Sequence, residues 1–461
     1  MHATSARATV AGVSMKTNLL ERLFHLRAAG TTAGREVVAG LGTFAAMVYC
    51  VAVNPAIMSN AGMDRASELT ATCLIAIIAS ATMGLLANLP LGLAPAIGSN
   101  VVFAVVMVQQ MGVPWPAALA IVCLTGIVFM ILTVTKVRER MADGMPDCLR
   151  VGIQIAVGLT IMFIGLRNAG FVVGNHTTLV TMGALSSPAV MLTFAGLVIT
   201  PALVAAGVPG ALIISIAGLT LIGLFVPDGH GGTITHWPTR MFAMPVWPSA
   251  TAFHMDPGYI FHNFFYVLPV IIFFLCTELF GTLANLLGIA SAGGMLRRDG
   301  SIPNATRAFA ADAAGTILGP VLGTAVVAVY LESVIGVQMG GRTGLVAVVI
   351  ALGFVAALFL WPLFMIIPPQ ATTPALVMVG ILMFGAISRL DLKDMTQSVP
   401  AIMTFMFAVL TGNLLNGMAF GTFSYIVMNV AAGRWRNVTP TAWGLGLIMA
   451  LFFIVSMSMR H

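Results

Sequence analysis

Charged residues are scarce in this sequence. Asp, Glu, Lys and Arg together make up 8% of its 461 residues, whereas hydrophobic residues make up 59%. Soluble domains carry roughly 25% charged residues. A chain of this length with so little charge cannot cover its apolar surface in water, which excludes a soluble fold. The composition predicts an all-α polytopic membrane protein, because helices satisfy their own backbone hydrogen bonds in lipid.

Cysteine is scarce as well, and the five residues lie far apart in the chain: Cys50, Cys73, Cys123, Cys148 and Cys276. Four of them fall inside apolar segments, so packing is a better interpretation than a disulfide framework. The predicted spans contain no closely spaced His, Cys and Asp ligands, so we expect no metal and no cofactor. A nucleophile–base set or a phosphate-binding loop is also missing, which argues against an enzyme.

Apolar runs long enough to cross a roughly 30 Å hydrocarbon core are abundant. They cover residues 37–57, 69–87, 93–110, 117–136, 149–171, 189–206, 209–226, 262–290, 305–323, 326–338, 344–363, 367–388, 399–415 and 418–431. The pattern predicts about fourteen transmembrane segments, and an apolar stretch at 441–459 stays unplaced. The first run carries no cleavage pattern at its end, so we interpret it as a retained span and not as a signal peptide.

Basic residues predict the orientation of these segments. The residues that flank three of the predicted loops are Lys136, Arg138, Arg140, Arg150, Arg297, Arg298, Arg389 and Lys393. The positive-inside rule places all three loops in the cytoplasm if the N-terminus is cytoplasmic. The net charge of +6 is therefore attributed to cytoplasmic loops and not to nucleic-acid binding. We expect a multi-pass protein of the cell (inner) membrane.

Gly and Pro interrupt two of the apolar segments, and both interrupted segments end in polar residues. They are "LGLAPAIGSN" (91–100) and "LGPVLGTAVVAVYLES" (318–333), about half a chain apart. Broken backbone survives in a membrane only where protein or a water-filled cavity satisfies its polar groups. Breaks at corresponding positions of two halves predict inverted repeats with a binding site between them.

Three carboxylates lie inside the predicted spans, namely Glu278, Asp312 and Glu332. A charge at the bilayer centre costs at least roughly 2.5–3.5 kcal/mol, so such residues usually face a cavity and serve function. The alternatives are a helix cap for Glu332, and a cap or an ion pair with Arg307 for Asp312. Acids and an Asn around a small cavity suit a flat, neutral ligand rich in N–H donors, and they also suit proton coupling.

Four stretches carry a resemblance to a known family: "NPAIMSNAGM" (54–63), "ANLPLGLAPAIGSN" (87–100), "GTILGPVLGT" (315–324) and "YLESVIGVQMGGRTGL" (330–345). From about residue 35 to 435, the chain resembles the nucleobase–ascorbate transporter (nucleobase:cation symporter-2) family. The most similar branch is that of the AzgA-like hypoxanthine, guanine and adenine permeases. The resemblance implies a secondary active transporter that imports purine nucleobases by proton symport with alternating access.

The family's fold implies two inverted seven-span repeats, with short strands in the broken spans 3 and 10. Spans 1–4 and 8–11 would form a core domain, and spans 5–7 and 12–14 a gate domain. The implied divisions are a cytoplasmic N-terminal segment 1–34, core 35–136, gate 149–226, extracytoplasmic loop 227–261, core 262–363, gate 367–431 and a C-terminal apolar tail 432–461.

The resemblance also implies the site. Glu332 matches the substrate carboxylate, Asn100 closes the broken third span, and Glu278 matches the eighth-span acid, although a shifted alignment places Gly281 opposite that acid. The expected substrate-binding set is Glu278, Glu332, Asn100, Tyr330, Thr324 and Ala325, and the expected proton-coupling residues are Glu278 and Asp312. The implied partners are a purine nucleobase, a proton and the lipid bilayer, with a homodimer as an open option and no nucleic acid.

The chain departs from its branch at several positions. It has "AVVAV" (325–329) where purine permeases usually carry a Ser/Thr-rich stretch, and "GSNVV" where the branch usually has "GLNAF". Glu278 replaces the usual Asp, and Thr282 stands where the uracil branch has a His. The choice among nucleobases therefore stays open, with xanthine or uracil as alternatives. The alternative from another class is an anion transporter or channel of related fold.

Overall fold

The computed structural model describes residues 18–135, 146–175, 177–208, 210–228, 232–238, 240–295, 297, 302–411 and 414–458. The first half of this part contains α1 (Asn18–Phe24), α2 (Ala33–Met47), α3 (Cys50–Ser59), α4 (Arg65–Thr82), β1 (Leu93–Pro95), α5 (Ile97–Val101), α6 (Trp115–Val134), α7 (Asp147–Asn168), β2 (Val172–Asn175), β3 (Leu179–Met182), α8 (Pro188–Ala205) and α9 (Ala211–Gly223). The second half contains α10 (Gly258–His262), α11 (Phe264–Ala292), α12 (Ala305–Leu322), β4 (Val327–Val329), α13 (Ser333–Gln338), α14 (Gly344–Phe359), α15 (Trp361–Met365), α16 (Pro369–Phe384), α17 (Met395–Leu410), α18 (Leu414–Ala431) and α19 (Pro440–Ser458).

Seven helical segments are long and apolar enough to cross a membrane, judged by length and composition. They are Ala33–Ser59, Arg65–Ala87, Trp115–Val134, Asp147–Asn168, Pro188–Ala205, Pro369–Arg389 and Leu414–Ala431. Five shorter apolar helices accompany them: Ile97–Gln110, Ala211–Gly223, Phe264–Leu275, Gly344–Phe359 and Met395–Leu410. The chain is thus a mostly helical, multi-pass membrane protein.

Short polar side chains start several of the helices. Thr32 caps α2 by accepting a hydrogen bond from the Arg35 N–H, and Asp64 caps α4 in the same way. Thr343 and Asp394 cap α14 and α17. A capping side chain satisfies one of the orphan N–H groups of the first helical turn. The helices α2, α4 and α17 therefore begin four residues before the apolar runs that start at 37, 69 and 399.

The two interrupted segments meet in a short antiparallel sheet. β1 pairs with β4, so that Leu93 lies opposite Val329 and Pro95 lies opposite Val327. The pairing extends at both ends, because the Ala96 N–H donates to the carbonyl oxygen of Val326 and the Tyr330 N–H to that of Gly92. Each strand satisfies the polar backbone of the other, which meets the requirement for non-helical backbone inside a membrane protein.

Helices of both halves of the chain surround this sheet. α4 packs against α3, α12 and α14, while α6 packs against α11 and α12. A second set, α7, α8, α16, α17 and α18, packs mainly within itself, and α5 contacts α7. Buried apolar side chains fill the space between the elements, among them Phe103, Phe129 and Phe354.

Several segment boundaries differ from the sequence prediction. The first apolar run consists of two helices: α2 ends at Met47 and α3 begins at Cys50, so Tyr49 lies between them. Between α7 and α8 lies a hairpin, β2–β3, that hydropathy did not indicate. Most of its residues are exposed. The stretch 399–431, predicted as the two spans 399–415 and 418–431, does form two helices, α17 and α18. The unplaced tail forms α19, which packs against α18 and α11.

Some predictions fall on residues that the structure does not describe. These residues are Lys136, Arg138, Arg140 and Arg298 of the basic loops, and Asn413 of the predicted span 399–415. They lie outside the described ranges.

Candidate functional site

Glu332 lies where β4 gives way to α13. It occupies the N-cap position of α13, yet its side chain makes no capping hydrogen bond. Its Oε1 instead accepts a hydrogen bond from the hydroxyl of Tyr49, with 3.0 Å between the oxygens. The capping interpretation of Glu332 is therefore wrong. The carboxylate is held from the junction of α2 and α3, and it keeps lone pairs for further N–H donors.

Tyr330 lies two residues earlier, and its side chain binds the opposite strand. Its hydroxyl donates to the carbonyl oxygen of Pro95 across 2.6 Å. The rings of Tyr330 and Tyr49 lie 6.5 Å apart between centroids at an interplanar angle of 53°. Aromatic pairs at such distances prefer tilted geometries. Two aromatic rings and a carboxylate thus lie together beside the paired strands.

A chain of amides lies where β4 begins. Oδ1 of Asn100 accepts from the backbone N–H of Val326 at 2.9 Å, and its Nδ2 donates to Oδ1 of Asn54 at 2.7 Å. Nδ2 of Asn54 in turn donates to the Thr324 hydroxyl oxygen at 3.1 Å. Asn100, Thr324 and the neighbouring Ala325 are buried. The structure thus brings together three residues predicted for the site.

Two serines fix the strand ends. The Ser80 hydroxyl donates to the carbonyl oxygen of Leu93, and its oxygen accepts from the Leu93 N–H, both at 2.9 Å. Ser333 accepts from the N–H of Gly92 at 3.0 Å. Both serines are buried. The backbone of β1 and of the preceding Gly92 is therefore bound by the β4 segment and by side chains of α4 and α13.

The buried acids of α11 and α12 form two reciprocal pairs with threonines. Thr282 donates to Oδ2 of Asp312 at 2.6 Å, and Thr316 donates to Oε2 of Glu278 at 3.4 Å. In each helix the acid and the threonine are four residues apart and share one face. All four side chains are buried. Asp312 lies in the interior of α12, so the cap interpretation of that residue is wrong.

Thr316 also links its acid to the strand. Its hydroxyl lies 3.0 Å from the carbonyl oxygen of Val327 in β4, and 3.4 Å from Glu278. A hydroxyl has one hydrogen, so it can serve only one of these oxygens fully at a time. Asn285 of α11 binds β4 as well, since its Nδ2 donates to the carbonyl oxygen of Val329 at 2.9 Å. Glu278 is thus linked through Thr316 to β4, the strand that precedes Glu332.

Sequence reasoning missed two buried acids, Glu36 and Glu68. Each lies one residue before a predicted span, whereas α2 and α4 begin earlier and enclose them. Both are completely buried. Glu36 accepts the N–H groups of Arg342 and Thr343 at 2.8 and 3.1 Å and anchors that loop. The cap residue in front of each helix, such as Asp64 before Glu68, was the available signal.

Tyr49 and Asn54 were missed for a different reason. Both sit in the first apolar run, which looks like one smooth helix; Asn54 opens the family-like stretch 54–63, but the sequence assigned neither residue a role. The break between α2 and α3 turns Tyr49 toward Glu332. Asn54 precedes Pro55 inside α3, and that dipeptide was the only local sign of an unusual position.

Chemically, the arrangement can hold a flat ligand that offers N–H groups. The described part of the chain contains no cluster of His, Cys, Asp and Glu that could hold a metal ion. Carboxylate oxygens of Glu332 can accept N–H donors, and charge-assisted hydrogen bonds of this kind are roughly twice as strong as neutral ones. The nearby Tyr rings offer apolar faces to a planar ring.

Comparison with known proteins adds the family. The model described as the Permease family, Xan_ur_permease, matches residues 34–420. The chain is 39% identical over 438 residues to adenine permease AdeP of Escherichia coli, covering 95% of each. It is 36% identical over 444 residues to guanine/hypoxanthine permease PbuO of Bacillus subtilis, covering 94% of this chain and 99% of that one. Nucleobase transporter PlAzg2 of Paenibacillus larvae is 29% identical over 398 residues, 85% of this chain and 76% of its own.

Solved structures share the fold. The transmembrane domain of the cyanobacterial bicarbonate transporter BicA superposes with a TM-score of 0.62, at 14% identity, over 85% of this chain and 97% of that one. SLC26A9 superposes with a TM-score of 0.60, at 14% identity, over 93% of this chain and 69% of that one. At this identity the likeness concerns the fold alone.

Proposed function

The chain belongs to the permease family Xan_ur_permease, the nucleobase:cation symporter-2 family, and we propose that it imports purine nucleobases across the cell membrane. Its relatives named adenine permease and guanine/hypoxanthine permease align over nearly their whole length with this chain. Their names designate transport proteins, which supports transport and argues against catalysis.

The pairing of β1 with β4 is the observation that carries the proposal. It brings Glu332 and Tyr330 from one interrupted segment beside Asn100 from the other. In the proposed complex a ring N–H of the purine donates to Glu332, and Tyr49 positions that carboxylate. At the edge of β4, beside the buried Thr324 and Ala325, the purine would compete with Asn100 for the Val326 N–H. A purine carries both donors and acceptors around its plane, which suits such a mixed edge.

Alternating access would come from movement between two helix sets. The set around the sheet (spans 1–4 and 8–11) forms the proposed core domain, and the set of α7, α8, α9, α16, α17 and α18 forms the proposed gate domain. The packing within each set supports a rigid-body motion of one against the other. The proposal includes fourteen spans in two inverted repeats, an inner-membrane location and a cytoplasmic N-terminus.

Proton symport is proposed through the acids of α11 and α12. Glu278 binds Thr316, which also reaches the backbone of β4. Movement of β4 on binding substrate would change the donor available to Glu278, and thereby its affinity for a proton. The linkage is reciprocal, because a proton that changes the affinity for substrate is itself bound more or less tightly by the same factor. Asp312, paired with Thr282, is the second proposed coupling residue.

The alternative from another class is anion transport, since the two structural neighbours named above are transport proteins of related fold. An anion site needs a cation or bare N–H groups at a helix N-terminus. In this chain the carboxylate Glu332 occupies the N-terminal end of α13. That observation favours a ligand with N–H donors over an anion. Xanthine and uracil stay alternatives within the nucleobases.

Uptake measurements test the proposal directly. Radiolabelled adenine, guanine, hypoxanthine, xanthine and uracil would be offered to cells that express the protein and to cells that carry the empty vector. We expect saturable uptake of at least one purine, competition by the others and loss of accumulation when a protonophore is added. Uptake of bicarbonate or sulfate without any nucleobase uptake would contradict the proposal.

A further inference from the structure

Glu68 is a buried acid that the mechanism above leaves without a role. It lies in the first turn of α4 and is completely buried. Its Oε2 accepts from Nδ2 of Asn54 across 3.4 Å, and its Oε1 has no hydrogen-bond partner among the described residues. Over the same residues no Lys, Arg or His forms an ion pair with it. A buried carboxylate that is held by this long hydrogen bond and by the Thr324 hydroxyl, with no cation beside it, is costly as an anion and much less so with a proton bound.

Amide orientations connect Glu68 to the nucleobase site. The Val326 N–H can only donate, so the atom of Asn100 that faces it, 2.9 Å away, is the acceptor Oδ1. Asn100 then presents Nδ2 to Oδ1 of Asn54, which turns Nδ2 of Asn54 toward Glu68. One backbone group thereby sets the direction of a hydrogen-bond chain that runs from the edge of β4 to the acid.

Nδ2 of Asn54 faces more acceptors than it can serve. The hydroxyl oxygens of Thr72 and Thr324 lie 2.9 and 3.1 Å away, and Oε2 of Glu68 lies 3.4 Å away. An amide nitrogen carries two hydrogens. The two threonines take the shorter bonds, so Glu68 receives the weakest one. A ligand that accepts the Val326 N–H would release Asn100 and allow both amides to turn, which replaces the N–H donor that faces Glu68 by the acceptor Oδ1 of Asn54.

Other titratable groups near α4 do not take over this role. Of the elements packed against α4, α3 carries Cys50, α12 carries Arg307 and Asp312, and α14, α15 and β1 carry no titratable residue. Gly315 of α12 lies beside Ala79, and Ala79 is about 16 Å along α4 from Glu68. Asp312 therefore lies far from Glu68. On α4 itself, Arg65 donates to the carbonyl oxygen of Ile367 at 3.0 Å, the carboxylate of Asp64 caps the helix at the Ser67 N–H, and Cys73 is a buried thiol.

We propose that Glu68 is a proton-binding site whose occupancy is linked to the nucleobase site through Asn54 and Asn100. When the amide chain is directed as described, Nδ2 of Asn54 donates to the carboxylate and weakens proton binding; when the chain turns, Oδ1 of Asn54 faces Glu68 and accepts a hydrogen bond from the protonated carboxyl group, so the carboxylate takes up a proton from water. The inference rests on the proposed function, because it requires a nucleobase at Val326 and Asn100. It adds a proton site on α4 to the acids of α11 and α12.

Two measurements on the purified full chain test the inference. The first is binding of radiolabelled adenine, guanine and hypoxanthine at a series of pH values. One linked proton changes Kd by up to about tenfold per pH unit. We expect Glu68→Gln, which is permanently neutral, to bind with a clearly flatter pH profile than the wild type. The exposed residue Asp391 provides the control, and Asp391→Asn should keep the wild-type profile.

The second measurement is infrared absorption without any nucleobase. The wild type minus Glu68→Gln difference should contain the band of a protonated carboxyl group, which disappears at alkaline pH. This readout does not depend on transport. If the band is present and no nucleobase binds to the wild type, the proposed function and the linkage both fail, whereas protonation of Glu68 stands.

Asn54→Ala keeps the inference testable if Glu68→Gln does not fold. This variant breaks the amide chain and leaves the acid in place, so the carboxyl band should persist while the pH dependence of binding becomes flatter. A wild-type pH profile in both variants, or a difference spectrum without a protonated carboxyl band at any pH, would overturn the inference.

Discussion

The hydroxyl of Tyr49 donates to Oε1 of Glu332 across 3.0 Å, although the two residues lie 283 positions apart in the chain. The bond joins the junction of α2 and α3 to the N-terminus of α13. It holds a carboxylate in one orientation beside the paired strands. In a site that accepts N–H groups, a carboxylate that is already fixed lowers the conformational-entropy cost of ordering that side chain when a ligand binds.

Substitutions of Glu332 and Tyr49 distinguish the role of the Glu332 carboxylate as an acceptor from the role of Tyr49 in positioning it. Glu332→Gln keeps the shape but loses the charge-assisted acceptor, so nucleobase uptake should be abolished or strongly reduced. Tyr49→Phe keeps the carboxylate and removes one hydrogen bond to a charged group, worth about 1.5–3 kcal/mol. We expect about a 10- to 100-fold weaker apparent affinity. Uptake kinetics at matched membrane expression check both, and unchanged affinity in Glu332→Gln would make that residue structural.

Substitution of Asn100 distinguishes its two hydrogen bonds. Asn100→Asp keeps an acceptor for the Val326 N–H but loses the donor to Asn54, whereas Asn100→Leu loses both. Leaving a buried N–H unsatisfied costs about 1–3 kcal/mol. We therefore expect Asn100→Leu to reduce nucleobase binding more than Asn100→Asp. Equal binding by both variants and the wild type, measured with labelled adenine, guanine and hypoxanthine, would remove Asn100 from the site.

Glu278 should be needed for accumulation more than for binding. In Glu278→Gln the proton can no longer be taken up at this position, so exchange of labelled nucleobase should persist while proton-driven accumulation is lost. Thr316→Val removes the hydroxyl that contacts both Glu278 and Val327, and should weaken accumulation in the same direction. Proteoliposomes with an imposed pH gradient provide the measurement. Retained accumulation in Glu278→Gln would move coupling to Asp312 or Glu332, and accumulation driven by sodium alone would exclude proton coupling.

Cysteine labelling tests the orientation. In a variant without native cysteines, single cysteines at Thr178 and Trp247 should react with an impermeant maleimide on intact cells. A cysteine at Leu392 should react only after permeabilisation. All three positions are exposed, so differences in labelling report the side of the membrane and not burial. The reverse pattern would overturn the cytoplasmic placement of the N-terminus.

A close helix contact makes one glycine intolerant of substitution. A Cβ at Gly344 would collide with the carbonyl oxygen of Gly84, which belongs to the backbone and cannot move aside. Overpacking of this kind costs typically 1–3 kcal/mol. Gly344→Ala should lower the yield and thermal stability of the detergent-solubilised protein. Gly218→Ala is the matched control, because a Cβ there meets nothing within 4 Å. Equal stability of the two variants would contradict the packing described for α14.

Much of the site's character could be predicted from local sequence. The interrupted segments around residues 91–100 and 318–333, and the acids inside apolar runs, stand out because lipid penalises them wherever the chain goes. Glu332 stood out for that reason, whereas the site roles of Asn100 and Tyr330 followed from the family resemblance of the interrupted segments. Glu36 and Glu68 escaped because hydropathy reports where apolar residues begin, whereas a helix begins at its cap, three to four residues earlier.

The sequence by itself determined the class of protein. Its shortage of charge leaves helices in a membrane as the only way to satisfy the backbone, and its broken segments require partners inside the protein. The tertiary structure alone decided which partners meet. The decisive contacts join residues that are distant in the chain. They are the pairing of β1 with β4, the bond from Tyr49 to Glu332, and the pairs Thr282–Asp312 and Thr316–Glu278. Such contacts depend on the relative placement of whole helices, which arises from packing summed over many side chains and leaves no signal at any single position.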